Sequence, residues 1–220
     1  MNPSNLLSTK DYMELEDKIT ALEKTVAKLR LALEGTIKTL TITSEAKDPY
    51  TAGHQRRVSD LSRAIAQEMG LPENVVDGIR MAGLIHDLGK IGVPGEILGK
   101  PTKLNDLEFQ LVKTHPEIGY ALLKDVEFPW PVADIVLQHH ERINGSGYPK
   151  RLKGPDIRIE AKIIAIADVV EAISSTRPYR QSLGVEAALE QISKNRGILY
   201  DEKAADACLR LFEKKRFKFK

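Results

Sequence analysis

Cysteine is nearly absent from this sequence: Cys208 is the only one in 220 residues. That excludes an internal disulfide and a thiolate metal cluster, so a reducing, cytoplasmic setting is expected and any metal must be held by nitrogen and oxygen. Long apolar runs are also missing. None approaches the ~20 residues that a membrane span needs, and the opening MNPSNLLSTKDY has no signal-peptide core. Nor does one sign of charge dominate, because the formal net charge is only +2. A nucleic-acid polymer is therefore not an expected partner, and the one strongly basic stretch, the tail KKRFKFK, reads as a solvated helix end. What is left, 42% hydrophobic and 29% charged residues, is ordinary for a soluble globular chain with one good-sized core or one domain plus an extension.

The N-terminal segment has a pattern of its own. Leu15, Ile19, Leu22, Val26, Leu29, Leu33, Thr36 and Leu40 follow alternating spacings of four and three, with Ile19, Val26, Leu33 and Leu40 at one seam position and Leu15, Leu22 and Leu29 at the other. β-Branched residues at the first and leucine at the second favour a parallel two-stranded coiled coil. An amphipathic helix packed on its own domain is the alternative. The expected division is a signalling and dimerisation helix over 1–46, ending before Pro49 because the residue preceding proline is pushed from helical angles, and a second domain over 47–220.

From Asp48 onward the periodicity is helical. His54, Val58, Leu61 and Ile65 share one helix face, and after Pro72 so do Ile79, Ala82 and His86. Asn105 with Glu108 forms a capping box, and Pro116 suits a helix start just after His115. Further helices are expected over 130–140, 158–174, 184–195 and 201–215. The stretch GKIGVPGEILGKPTKLN reads as a long loop. No alternating run is long enough for a sheet, so the class is all-α.

The five histidines, His54, His86, His115, His139 and His140, fall where a metal site can use them. One histidine on an apolar face is usually a core histidine, and His86, Asp87 and Lys90 alone suit a plain ion pair near a helix end as well as a site. Asp168 shifts the balance. It lies in the apolar stretch IIAIADVVEAI, where a carboxylate without a partner is hard to sustain. Five imidazoles, a terminal carboxylate from Asp168 and a bridging carboxylate from Asp87 would fill about eight of the twelve positions around two octahedral ions. Such a shell suits divalent transition ions, iron or manganese first, with nickel, cobalt or zinc as alternatives. A pair of ions about 3.5–4 Å apart is suited to hydrolysis of a phosphodiester.

HDLGKIGVP at 86–94, THPEIG at 114–119, HHERINGSGYP at 139–149, IADVVEAI at 166–173 and TRPYR at 176–180, in this order, resemble the HD-GYP family, a branch of the HD-domain phosphohydrolases. The resemblance spans about residues 45–205. It implies an HD-domain helical bundle, a binuclear or trinuclear metal site and hydrolysis of cyclic di-GMP to pGpG, in some members onward to GMP. Residue by residue it implies metal ligation by His54, His86, Asp87, His115, His139, His140 and Asp168, with Asp87 bridging. Lys90 matches the family's catalytic lysine, and Arg177 and Arg180 its phosphate-binding pair. In the GSGYP loop, Gly147 allows a tight backbone and Tyr148 is placed to stack on a base. Tyr50 stands where some members carry a glutamate for a third ion, so two ions are expected. Asn144 and Thr176 stand where aspartate is frequent. No receiver or other sensory domain is read, so the chain looks like a minimal enzyme or the output end of a longer signalling protein, with an upstream sensor or partner signalling proteins expected. The competing readings are a hydrolase of another cyclic dinucleotide or nucleotide, and a non-catalytic cyclic di-GMP receptor.

Overall fold

The computed structural model describes residues 8–47, 52–176, 181–214 and 216–219, and among these the secondary structure is helical, with no strand beyond isolated bridges. The all-α expectation holds. Tyr50, Arg177 and Arg180 lie outside the described residues. Two compact units are distinguished, Met1–Thr39 and Leu40–Lys220.

Helix α1 (Thr9–Lys47) is continuous and stops two residues short of Pro49, as proline sterics demand. Within the first unit its seam residues Leu15, Ile19, Leu22, Val26 and Leu29 are exposed. From Leu40 the helix belongs to the second unit, and there its polar side chains bond to backbone. Thr41 Oγ1 donates to the Leu84 carbonyl at 2.7 Å, Ser44 Oγ to the Asp87 carbonyl at 3.3 Å, and Lys47 to the Ile91 carbonyl. The Glu45 carboxylate accepts from the amides of Gly53 and Gln55 at 3.1 and 3.3 Å, which caps the start of the next helix.

That helix, α2 (His54–Glu68), packs against α3 (Glu73–Ile85) with His54, Val58, Leu61 and Ile65 buried, the stripe read from the sequence. Helix α8 (Ile159–Ser174) runs through the centre and buries Ile163, Ile164, Ile166, Ala167 and Val170, so its sequence is apolar almost all round. Each isoleucine contributes about 1.5–3 kcal/mol by leaving water.

The stretch expected as a loop over 89–105 is partly ordered. Leu88–Gly92 forms a 3₁₀ turn and Gly95–Leu98 a single helical turn, α4. One turn is too short to show a period, so glycine and proline content pointed to a loop. Helix α5 (Asp106–Val112) opens on the expected capping box, with Glu108 N donating to Asn105 Oδ1 at 2.9 Å and Asn105 N to Glu108 Oε2 at 2.8 Å. It is followed by α6 (His115–Leu123), α7 (Val132–Gln138), α9 (Gly184–Lys194) and α10 (Glu202–Glu213). Of the described residues of the basic tail, Lys214 caps the end of α10 and Arg216, beyond it, donates to Glu68 at 3.0 Å.

Candidate metal centre

The histidines sit at helix ends, and the ends meet. His54 opens α2 and His115 opens α6, while His86 and His139 cap α3 and α7. The five imidazoles form one cluster with neighbouring ring centroids 4.1–5.3 Å apart. The last carbonyls of a helix lack intrahelical partners, and three histidines use them. Nδ1 of His86, His115 and His139 lies 2.8, 2.7 and 2.6 Å from the carbonyl oxygens of Gly83, Val112 and Val136, in the last turns of α3, α5 and α7. A carbonyl only accepts, so each Nδ1 must carry the proton and each Nε2 a lone pair. These lone pairs face inward: Nε2 of His115 and His139 are 3.2 Å apart, and Nε2 of His86 is buried with no hydrogen-bond partner. Buried acceptors that converge in this way could hold a shared cation.

The carboxylates complete the arrangement. Asp87 Oδ1 is 3.3 Å from His115 Nε2, and its Oδ2 is 3.6 Å from Nε2 of both His54 and His86. Its carboxylate belongs to two sets of possible ligand atoms, one with nitrogens of His54 and His86 and one with nitrogens of His115, His139 and His140. Asp168, mid-helix in α8, directs Oδ1 to His54 at 3.3 Å and Oδ2 to His140 at 3.9 Å. Lys90, one turn past Asp87, places Nζ 2.7 Å from Asp87 Oδ2.

Protonation states suit cation binding. Burial holds the imidazoles of His139 and His140 well below the usual histidine range, and His115 at about 4, with Lys90 and neighbouring histidines adding to the shift. Burial opposes the charge on Asp87 and Asp168, yet Lys90 and the surrounding imidazoles for the first, and His54 for the second, keep both well below the carboxylate range. Neutral imidazoles beside ionised carboxylates are the forms that ligate. His54 differs: burial disfavours its cation, but Asp168 and Glu171 raise it to about 9. The neutral imidazoles of His115, His139 and His140 beside the ionised Asp87 and Asp168 fit a metal centre, and a cation would replace the proton of His54 among the same carboxylates.

Gly89 and Gly147 explain how the backbone closes on the cluster. A Cβ on Gly89 would lie 1.9 Å from the His115 carbonyl oxygen, so glycine alone lets the His86–Asp87 segment touch the start of α6. A Cβ on Gly147 would meet the backbone of 140–142 at 2.4–2.5 Å, so this glycine presses the GSGYP loop onto His140. The Tyr148 ring lies against the His140 ring, centroids 4.7 Å apart, which takes up one of its faces. A cavity of about 390 Å³ opens over the cluster, lined by His54, Asp87, Lys90, His140, Tyr148 and Asp168 on the polar side and by Phe109, Val112 and Ile173 on the apolar side.

Three functional neighbours escaped sequence reading. Glu171, one turn beyond Asp168 on the same face of α8, bonds His54 Nδ1 and Arg57. Its signal was a second carboxylate in an apolar helix at i+3. Glu141 is buried and accepts from the amides of Lys150 and Leu152 at 2.7 and 3.0 Å, tying down the loop after Tyr148. Glu45, the cap beside His54, sits in a helix whose period pointed elsewhere.

Comparison with known proteins accords with this geometry. The model of the HD domain matches residues 41–204. The cyclic di-GMP phosphodiesterase response regulator RpfG of Xanthomonas campestris pv. campestris is 38% identical over 214 residues, 94% of this chain and 57% of that protein. A cyclic di-GMP phosphodiesterase of Thermotoga maritima is 39% identical over 203 residues, 90% of this chain and 55% of that protein. The chain thus spans a little over half the length of these relatives. Among solved structures, the HD domain of the Listeria monocytogenes phosphodiesterase PgpH in complex with cyclic-di-AMP superimposes with a TM-score of 0.57 at 22% identity, covering 82% of this chain and 98% of that one. Its likeness is one of fold. A match that takes in the ends of α2, α3, α6 and α7 together with Asp168 leaves one assignment: the chain belongs to the HD-domain family, in its HD-GYP branch.

Proposed function

We propose that the chain is a metal-dependent phosphodiesterase that hydrolyses cyclic di-GMP to pGpG, and onward to GMP, in second-messenger signalling in the cytoplasm. The observation that carries this reading is the gathering of His86, His115 and His139 about Asp87, with Lys90 Nζ 2.7 Å from Asp87 Oδ2 in the lining of the cavity. Relatives named for this activity support the substrate class.

In this reading His54, His86, Asp87, His115, His139, His140 and Asp168 would hold two divalent transition-metal ions, iron or manganese first, with Asp87 as the shared ligand and Asp168 as a terminal one. Such ions, when bound, supply positive charge for the phosphoryl oxygens and acidify water. The remaining work falls to side chains. Lys90 is the one ammonium at the cluster among the described lining residues, placed to donate a proton to the departing oxygen or to stabilise its charge. Phe109, Val112 and Ile173 keep bulk water from that oxygen and strengthen the Lys90 field. Arg177 and Arg180 are proposed to fork onto the phosphate not being cleaved. Gly147 and Tyr148 shape the rim. Cyclic-di-AMP in a relative of the same fold favours a second reading, hydrolysis of another cyclic dinucleotide.

Residues 1–46 are proposed as a dimerisation and signalling helix for the domain over 47–220, acting on behalf of a sensor domain or partner protein. Support comes from the exposed apolar seam and from the last two turns of α1, where Ser44 and Glu45 bond the backbone beside Asp87 and His54. The deciding experiment is elemental analysis of anaerobically prepared protein combined with turnover of cyclic di-GMP and other cyclic dinucleotides. About two ions per chain and preferential release of pGpG are expected; metal near zero or three, or no turnover with metal bound, overturns the reading.

A further inference from the structure

The second coordination shell is not uniform. His86, His115 and His139 each rest Nδ1 on a neutral backbone carbonyl. His54 rests Nδ1 on a carboxylate, Glu171 Oε2. That carboxylate is 1% exposed, and its other oxygen is fully engaged: Arg57 donates Nε at 2.8 Å and Nη2 at 2.7 Å, and Ser175 Oγ donates at 2.7 Å. Arg57 lies three residues after His54 on α2, and Glu171 three after Asp168 on α8, so the two helices that supply these site residues also supply the pair behind them. His54 Nε2 meanwhile points at Asp87 and Asp168.

We infer that Glu171, held by Arg57 and Ser175, is a positioning residue that fixes the Nδ1–H tautomer of His54 and makes its Nε2 a stronger donor than the other imidazoles, so that the two metal positions differ in affinity. The inference rests on the proposed metal centre. A carboxylate partner raises the basicity of a ligating imidazole, whereas a carbonyl mainly orients it. The wiring also crosses the fold: a buried carboxylate 117 residues away in sequence bonds one proposed ligand, and its other oxygen accepts from an arginine of that ligand's own helix.

The test uses the full chain stripped by chelator and titrated with Co²⁺ against a chromophoric competitor. The unaltered chain should take two ions. In E171Q, which keeps size and an acceptor but loses charge, one of the two affinities should fall about 10- to 100-fold, with a shift of the visible bands of that ion alone. Equal affinities and spectra in E171Q and the unaltered chain overturn the role of Glu171 while leaving the metal centre intact, and so does equal weakening of both ions. Failure of the unaltered chain to take up Co²⁺ overturns the metal centre itself. If E171Q does not fold, judged by circular dichroism, long-range ¹H–¹⁵N spectra of the unaltered chain decide. A His54 proton on Nδ1 with Co²⁺-dependent broadening centred at Nε2 supports the inference; ligation through Nδ1 overturns it.

Discussion

Gly89→Ala should disable the site without touching any proposed ligand. The added Cβ would stand 1.9 Å from the His115 carbonyl oxygen and 2.5 Å from the Gly119 amide nitrogen, both backbone atoms of α6. Side-chain carbons essentially never approach closer than 3.0 Å, so α6 must move by at least about 1.1 Å relative to the His86–Asp87 segment. His115 Nε2 now lies 3.3 Å from Asp87 Oδ1, and the movement opens the pair. A metal tolerates ligand distances within about 0.2 Å, so His115, a proposed ligand, should no longer reach the ion. Overpacking of this size costs about 1–3 kcal/mol, which a domain of this size survives, and a misplacement of about 1 Å costs about 10²-fold in rate. The expected result is a folded protein by circular dichroism, short of metal by elemental analysis and about 100-fold slower on cyclic di-GMP. Full metal content with unaltered turnover in Gly89→Ala would refute the reasoning, since it would mean that the contact of Gly89 with α6 does not position His115.

Lys90→Ala should retain both ions and lose about 10²–10³ in turnover, the range for removing one electrostatic or acid group; unchanged kinetics with metal retained would reduce Lys90 to the ion partner of Asp87. Alanine at both Arg177 and Arg180 should raise KM for the cyclic dinucleotide much more than for a small generic phosphodiester, measured side by side, because only the larger substrate reaches them. Ile19→Lys with Val26→Lys should give monomers by light scattering with metal content unchanged, since like charges are not buried face to face in a coiled-coil seam. Burial pushes the Cys208 thiol up to about 12, so the protonated form persists through neutral and mildly alkaline pH. Alkylation by iodoacetamide at pH 8 should therefore be negligible in the folded chain and rapid after denaturation.

Much of this was legible along the chain, because helices are local. Periods of 3.6 marked α2, α3, α8 and α10 to within a few residues, and the Asn105–Glu108 box marked the start of α5. Histidines that continue apolar stripes, and Asp168 within one, announced a buried polar cluster before any fold was known. The single turns at 88–92 and 95–98 were missed, since a segment of four or five residues displays no period.

What the sequence determined by itself was the inventory: which side chains carry lone pairs and charge, and which helices they end. Tertiary structure decided which atoms of those side chains face one another. The tautomers of His86, His115 and His139 follow from orphan carbonyls in the last turns of three helices, two of those histidines capping the helix concerned and His115 lying beyond the end of α5. The carboxylate behind His54 comes from a residue 117 positions away, and the closeness of α6 to Asp87 depends on an absent Cβ at Gly89. Local sequence fixes backbone dihedrals, but contacts between helices depend on how their buried faces interlock, and a lone pair becomes a ligand only when that packing excludes every other donor.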